Sequence, residues 1–380
     1  MLARAPLLPL ALVALLAALA GWRGLTPVLP EAAPLLAAER TGPAVALAWD
    51  AAMPAGAPVP LGITGRAVAA GGGYRFGWAG FQAEAEVTGD RVQIALDDRA
   101  NRWRISVGPV TAVLTRPGRG ALTVKGLGPG PHRLRAVVLS EPGAPASLIG
   151  VYAPGGGQAP PSPERLIEFV GDSDTVGYGN GSPVRDCTDA QLFLATDVTR
   201  SFGPQAAARL GAGWRMVARS GAGIVRNYGG GPVPGLPALY PFALPGTAIP
   251  AGGPPADVVV IGLGSNDIAV PLAAGEPWAD PAALHAAMAA GLADFARGVH
   301  AAQPWAFVLM LAFGEYGAPV TGAARAAAAA VGAAGGRADV LILPRLARRG
   351  CHWHPSARDH RRIADLLVAR LSQPDVWAAP

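Results

Sequence analysis

Five short apolar runs recur between residues 166 and 345: LIEFV, WRMVARS, DVVVIGLG, AFVLMLAF and DVLILPR. Helix-period segments separate or follow them: FGPQAAARLG, PAALHAAMAAGLADFARGVHA, an alanine-rich stretch over 323–334, and ARDHRRIADLLVARL at the end. Runs this short and this apolar read as strands buried on both faces. Strands that alternate with helices pair in parallel, because the crossover helix returns the chain to the same edge. The pattern predicts an α/β domain over residues 165–376, a three-layer α/β/α arrangement with one parallel sheet. A parallel sheet delivers all its strand ends to one side, where open α/β sheets hold their ligands.

Upstream the rhythm is different. FQAEAEVTG, RVQIALDD, WRISVG, TAVLTR, ALTVKGL and HRLRAVVLS alternate with period two and are punctuated by Gly, Asp and Asn. With no helix-period segment among them, they predict an antiparallel β-sandwich of jelly-roll type over 65–153. APGGGQAPPSPE, at 153–164, reads as a linker. Residues 23–64 are rich in Pro and Ala and read as a spacer, with room for one strand near AVALAW.

The first 22 residues carry an export pattern: Arg4, an apolar stretch, and the small-residue site Ala18-Leu19-Ala20. They imply a cleaved signal or an uncleaved N-terminal membrane anchor, and so a periplasmic or extracellular protein. No cysteine follows the apolar stretch to take a lipid. Cys187 and Cys351 are the two cysteines, and in an exported chain they read as one disulfide rather than as redox chemistry. The net charge of +5 is scattered over arginines with no basic block, so nucleic acid is not an expected partner. Oligomeric state has no signature here.

Four of the polar turns hold reactive or donor groups. GDSD brings Ser173 to the end of the first run, and ARSGAG brings Ser220, Gly221 and Gly223 to the second. GLGSND brings Asn266 and Asp267 to the third, and CHWHPS places His354 just before the last helix. A hydroxyl, a glycine N–H, a side-chain amide and an imidazole at one sheet edge are the parts for acyl transfer: nucleophile, oxyanion donors and base. Each motif alone is weak, since a GDS turn can be a helix cap and a His-Pro can precede any helix. Their order, each at a strand end, is the specific signal.

These motifs resemble those of the SGNH (GDSL-type) hydrolases, and over 65–375 the chain is similar to the second family of carbohydrate esterases, which joins a jelly-roll to an SGNH domain. FVGDSDTVGYGNG, ARSGAGIVRNYGG, GLGSNDIA and GCHWHPSARDHRRIADLL carry the resemblance, with GRAVAAGGGYRFGWAGFQAEAEVTGDRVQIALDDRAN in the sandwich. It implies that Ser173 is the nucleophile and His354 the general base. It also implies an oxyanion hole made by the N–H groups of Ser173 and Gly221 (or, as the alternative, Gly223) and by the amide of Asn266. No metal or cofactor is implied, and the substrate would be an acetylated oligo- or polysaccharide.

Three positions depart from the family pattern. Asp174 stands where an aliphatic residue is usual, and would bond within its turn or shape the acyl pocket. His352 stands where many SGNH enzymes place the triad aspartate, so a Ser–His dyad with a backbone carbonyl orienting the base is expected. Of the Lys and Glu often found near GPHRLRAVVLSEP, Glu141 alone is present.

Asp172 is expected to bond the N–H groups of the nucleophile loop. Tyr178 and Trp353 would stack on a sugar ring, with core filling as the other reading of Trp353. Cys351, His352, His354 and His360 lack the spacing of a zinc site. The rival functions are a degenerate fold that binds polysaccharide without turnover, and a lipase, thioesterase or acyltransferase of the same fold.

Overall fold

The computed structural model describes residues 29–378, except positions 43 and 232. The expected export signal lies outside the described residues, and among those described no helix is long and apolar enough to cross a membrane.

The five apolar runs form one parallel sheet: β1 (Leu166–Gly171), β2 (Gly213–Ala218), β3 (Val258–Gly262), β4 (Phe307–Phe313) and β5 (Arg337–Leu343), in the order β2-β1-β3-β4-β5. Side chains alternate along a strand, and each face has its own helices. Val170, Val217, Val259, Ile261 and Met310 pack under the helices Pro281–Ala302 and Gly317–Ala333. Phe169, Met216, Val260, Leu309 and Leu311 pack under the helices Phe202–Arg209 and Ala357–Leu371. The strand order reverses direction at β1, so the crevice beyond β1 and β3 is the position at which folds of this order bind ligands.

The preceding segment is a sandwich of a seven-stranded and a six-stranded antiparallel sheet. Phe76 and Phe81 stack at 4.4 Å between ring centroids, with Trp103 edge-on to both, and all three are buried. The segment expected to be spacer takes part in both sheets. Leu36–Arg40 pairs with Val110–Thr115, Ala46–Asp50 with Gly118–Lys125, and Gly62–Thr64 with Gln82–Val87. Leu36, Leu47 and Trp49 pack against the sandwich core. Short strands that cover otherwise bare sheet edges need only a few apolar contacts, which a Pro- and Ala-rich composition hides.

The sandwich is tied to the sheet by a buried charge. Glu168, in the middle of β1, accepts hydrogen bonds from Arg66 of the sandwich (3.0 Å), Arg215 (2.8 Å), Tyr240 (2.6 Å) and Gln303 (2.9 Å). Burial pushes the Glu168 carboxyl up, but Arg215 and Arg66 outweigh it and hold it below its ordinary value. Removing one partner would leave a buried charge uncompensated.

Candidate active site

β1 ends at Gly171, where a side chain would collide with Thr175 Oγ1 and come within 2.9 Å of the Gly262 carbonyl. The absence of a side chain lets the chain turn at once into a one-turn helix, α1 (Ser173–Val176), whose N-cap is Asp172. The turn raises Ser173 above the sheet edge while leaving it largely buried. Asp172 lies beneath Ser173. Its Oδ1 accepts the Asp174 N–H at 3.0 Å, and its Oδ2 accepts the Ser265 hydroxyl at 2.7 Å and the Asn266 amide at 3.1 Å. Burial and the neighbouring Asp174 carboxylate push Asp172 up to about 7, against the pull of these donors.

Ser173 Oγ lies 2.9 Å from His354 Nε2. On the other side of the ring, Nδ1 lies 3.0 Å from the Cys351 carbonyl and 3.1 Å from the His352 carbonyl. Carbonyls only accept, so Nδ1 carries the proton and the bare Nε2 accepts from the serine hydroxyl. Two backbone carbonyls thus occupy the position of a triad carboxylate. Burial lowers the imidazole pKa below its ordinary value, opposed by Asp174 and by the two carbonyl contacts.

These carbonyls face the His354 ring because His352 and Trp353 both adopt left-handed backbone, with φ of 51° and 63°. Non-glycine residues there cost roughly 1–2 kcal/mol each. Several contacts hold the segment. Cys351 is bonded to Cys187 in a disulfide, the His352 N–H donates to the Arg185 carbonyl at 2.7 Å, and the His352 ring lies between the Cys187 carbonyl (Nε2, 2.9 Å) and the Tyr178 hydroxyl (Nδ1, 3.1 Å). The carbonyl fixes Nε2–H as the donor, so the Tyr178 hydroxyl donates to Nδ1. The His352 ring therefore points away from His354.

Tyr178 has its ring 4.3 Å from that of His354, between centroids. It packs against the imidazole on that side. Trp353 is 62% exposed, which excludes core filling, and one face of its indole is covered by the Arg185 guanidinium at 3.5 Å. The Asp174 carboxylate is turned outward from its own turn: it makes a two-pronged ion pair with Arg348, at 3.0 and 2.7 Å, and Arg348 also binds Glu315 at 2.5 Å. His360 is apart from the site, with Nδ1 accepting the Phe202 N–H, and burial lowers it to about 4. Among the described residues no three His, Cys, Asp or Glu side chains are grouped to hold a metal.

The second strand end supplies Gly221, at φ 76°, a conformation that strains any side-chain-bearing residue. Among the described residues the N–H groups of Ser173 and Gly221 have no hydrogen-bond acceptor, whereas the Gly223 N–H donates to Asn227 Oδ1 at 2.9 Å. This separates the two glycines. The Asn266 amide donates to Asp172 and, at 2.9 Å, to the Ala222 carbonyl, so both bonds hold it at this strand end.

Three residues have supporting roles that the sequence reading did not assign, although it named Asp267 and Glu141. Asp267 is buried and accepts the N–H groups of Ile224, Val225 and Arg226, tying the Asn266 turn to the Gly221 loop. Arg348 partners Asp174, as described. Glu141, from the sandwich, accepts the Ser220 N–H at 2.7 Å and the Ser220 hydroxyl at 2.5 Å, one residue before Gly221. The sandwich therefore contacts the Gly221 loop directly. Tyr228, which is 60% exposed, donates its N–H to the Gly221 carbonyl and so stands at the same loop.

The model of the carbohydrate esterase 2 N-terminal family matches residues 63–163. An acetylxylan esterase/glucomannan deacetylase of Cellvibrio japonicus is 35% identical over 334 residues, covering 84% of this chain and 93% of that protein. The solved structure of a carbohydrate esterase whose active site is described as having divergent catalytic and non-catalytic binding functions matches with a TM-score of 0.78 at 32% identity, over 84% of this chain and all of that one. A family two carbohydrate esterase from Clostridium thermocellum, solved with cellohexaose, shares the fold with a TM-score of 0.71 at 23% identity, over the same 84% of this chain and 100% of that one.

Proposed function

Because this chain belongs to the second family of carbohydrate esterases, we propose that it removes acetyl groups from the hydroxyls of an oligo- or polysaccharide through an acyl-enzyme on Ser173. The reading rests on one observation above others: the Ser173 hydroxyl donates to a base whose far nitrogen is fixed by two carbonyls.

Ser173 Oγ attacks the ester carbonyl as His354 Nε2 takes its proton. The tetrahedral oxyanion is met by the N–H groups of Ser173 and Gly221 and by the Asn266 amide. His354 returns the proton to the sugar oxygen as the carbon–oxygen bond breaks, leaving acetyl-Ser173 and a free hydroxyl. Water attacks the acetyl-enzyme with His354 again as base, releasing acetate. The carbonyls hold the tautomer but do not neutralise the imidazolium as a carboxylate would. The Asp174 carboxylate is the negative group that favours charged His354, and Arg348 shares it.

The export pattern of the first residues and the Cys187–Cys351 disulfide support a place outside the cytoplasm. N-terminal sequencing of the mature protein separates a cleaved signal from a retained anchor. Function is tested by acetate release from acetylated xylan and glucomannan oligosaccharides, followed by mass. Release by wild type with loss in Ser173→Ala is expected. Binding of these oligosaccharides with no acetate released by wild type would instead make the protein a non-catalytic binder.

A further inference from the structure

A strip of arginines leads away from Trp353. A cavity of about 430 Å³ is walled by Arg185, Asp186, Arg349 and Trp353, and another of about 740 Å³ by Arg349, Arg358, Asp359 and Arg362. Pro183 and Arg349 line both, so the two form one trough. It begins at the residue before the base and ends over the first turns of the helix Ala357–Leu371.

The guanidiniums of this trough outnumber its acids. Arg349, Arg358 and Arg362 are exposed, and among the described residues none of them stands in an ion pair. Two acids line the trough, Asp186 and Asp359. Asp359, on the trough wall, accepts the N–H groups of Ala347, Arg348 and Ser356 and the Ser356 hydroxyl. Asp186 lines the trough beside Arg185 and Arg349. Arg185 is fixed in place, bonded to the Arg348 and Ala347 carbonyls and flat against Trp353.

We propose that this trough is a subsite for the carboxylates of an acidic polysaccharide, a uronate-bearing chain whose acetylated sugar lies at Ser173. Guanidinium groups match carboxylates with two parallel hydrogen bonds. Trp353 marks the passage from the reacting sugar to the charged part of the chain. Each exposed contact is weak, but several acting on one polymer amount to about tenfold in apparent affinity. They are also screened by salt, since the Debye length falls from about 10 Å at 0.1 M to about 3 Å at 1 M.

The proposal takes the esterase reading as its premise, and its test separates the two. The probes are two acetylated xylans of matched acetyl content, one bearing glucuronate side groups and one neutral. The account expects KM about tenfold lower for the acidic polymer at low salt, with the difference closing near 1 M salt. An Arg349→Ser/Arg358→Ser double variant that melts like wild type should bring the acidic polymer's KM up toward the neutral one's. Equal KM values at low salt, or a double variant that weakens both polymers alike, would overturn the trough. Affinity electrophoresis of wild type in the two deacetylated xylans needs no turnover: selective retardation by the acidic polymer supports the trough even in a protein that fails to release acetate, and retardation alike in both refutes it.

Discussion

Replacing both cysteines by serine should damage stability and catalysis together, and the structure sets the size of each effect. The bridge spans 164 residues. Chain entropy for a closed loop of that length gives a ceiling of about 5 kcal/mol, and measured losses for such bridges are typically about 2–4 kcal/mol. The catalytic effect has a separate source. His352 and Trp353 hold left-handed backbone worth roughly 1–2 kcal/mol of strain each, next to the half-cystine whose carbonyl accepts from His354. Freed of the bridge, the segment can relax, and the carbonyls then leave Nδ1. A relaxation of about 1.4 kcal/mol corresponds to a tenfold loss of the oriented base. The Cys187→Ser/Cys351→Ser variant should therefore unfold at lower denaturant and lose about tenfold in kcat on an aryl acetate under conditions where it is fully folded. A folded variant with wild-type kcat would refute the claim that the bridge maintains the geometry of the base, however large the stability loss.

Asn266→Ala removes the amide that would meet the oxyanion, and kcat should fall by about 10²–10³ with a smaller change in KM. A change confined to KM would assign Asn266 to sugar binding. Glu141→Ala loses both bonds to Ser220 and should lower kcat by about tenfold through the Gly221 loop. Glu141→Gln should keep most of the activity, because an amide oxygen still accepts the Ser220 N–H, and equal losses in the two variants would contradict this positioning role. Burial lowers the His354 pKa, so the neutral base persists to lower pH and the acid limb of kcat/KM should fall below about 6.5. A limb near 7 that moves in Asp172→Asn would show that the buried Asp172 governs the profile instead.

The strands and the meeting of Ser173 with His354 were legible because each depends on local pattern. A run such as LIEFV followed by GDS has few alternatives, and parallel pairing then carries Ser173, Gly221 and Asn266 to one edge. The supports were not legible, because they join residues far apart in the chain. Arg348 reaches Asp174 across 174 positions, and Glu141 reaches Ser220 across 79. Nothing in SDT or SEP names such a partner. The packing of Tyr178 on His354 was not legible for a related reason: it depends on the left-handed turn at His352, a conformation that sequence rarely signals in a non-glycine residue. The strand Leu36–Arg40 was hidden by composition, since edge strands need little apolar surface of their own.

The central claim is that Ser173 is a nucleophile activated by a carbonyl-oriented His354. Covalent capture with a fluorophosphonate, followed by peptide mapping, tests it most directly. The account predicts a single adduct on Ser173 in wild type, a labelling rate reduced at least about 10³-fold in His354→Ala, and no adduct in Ser173→Ala. An adduct on another residue, or labelling of Ser173 that proceeds at the wild-type rate without His354, would contradict it.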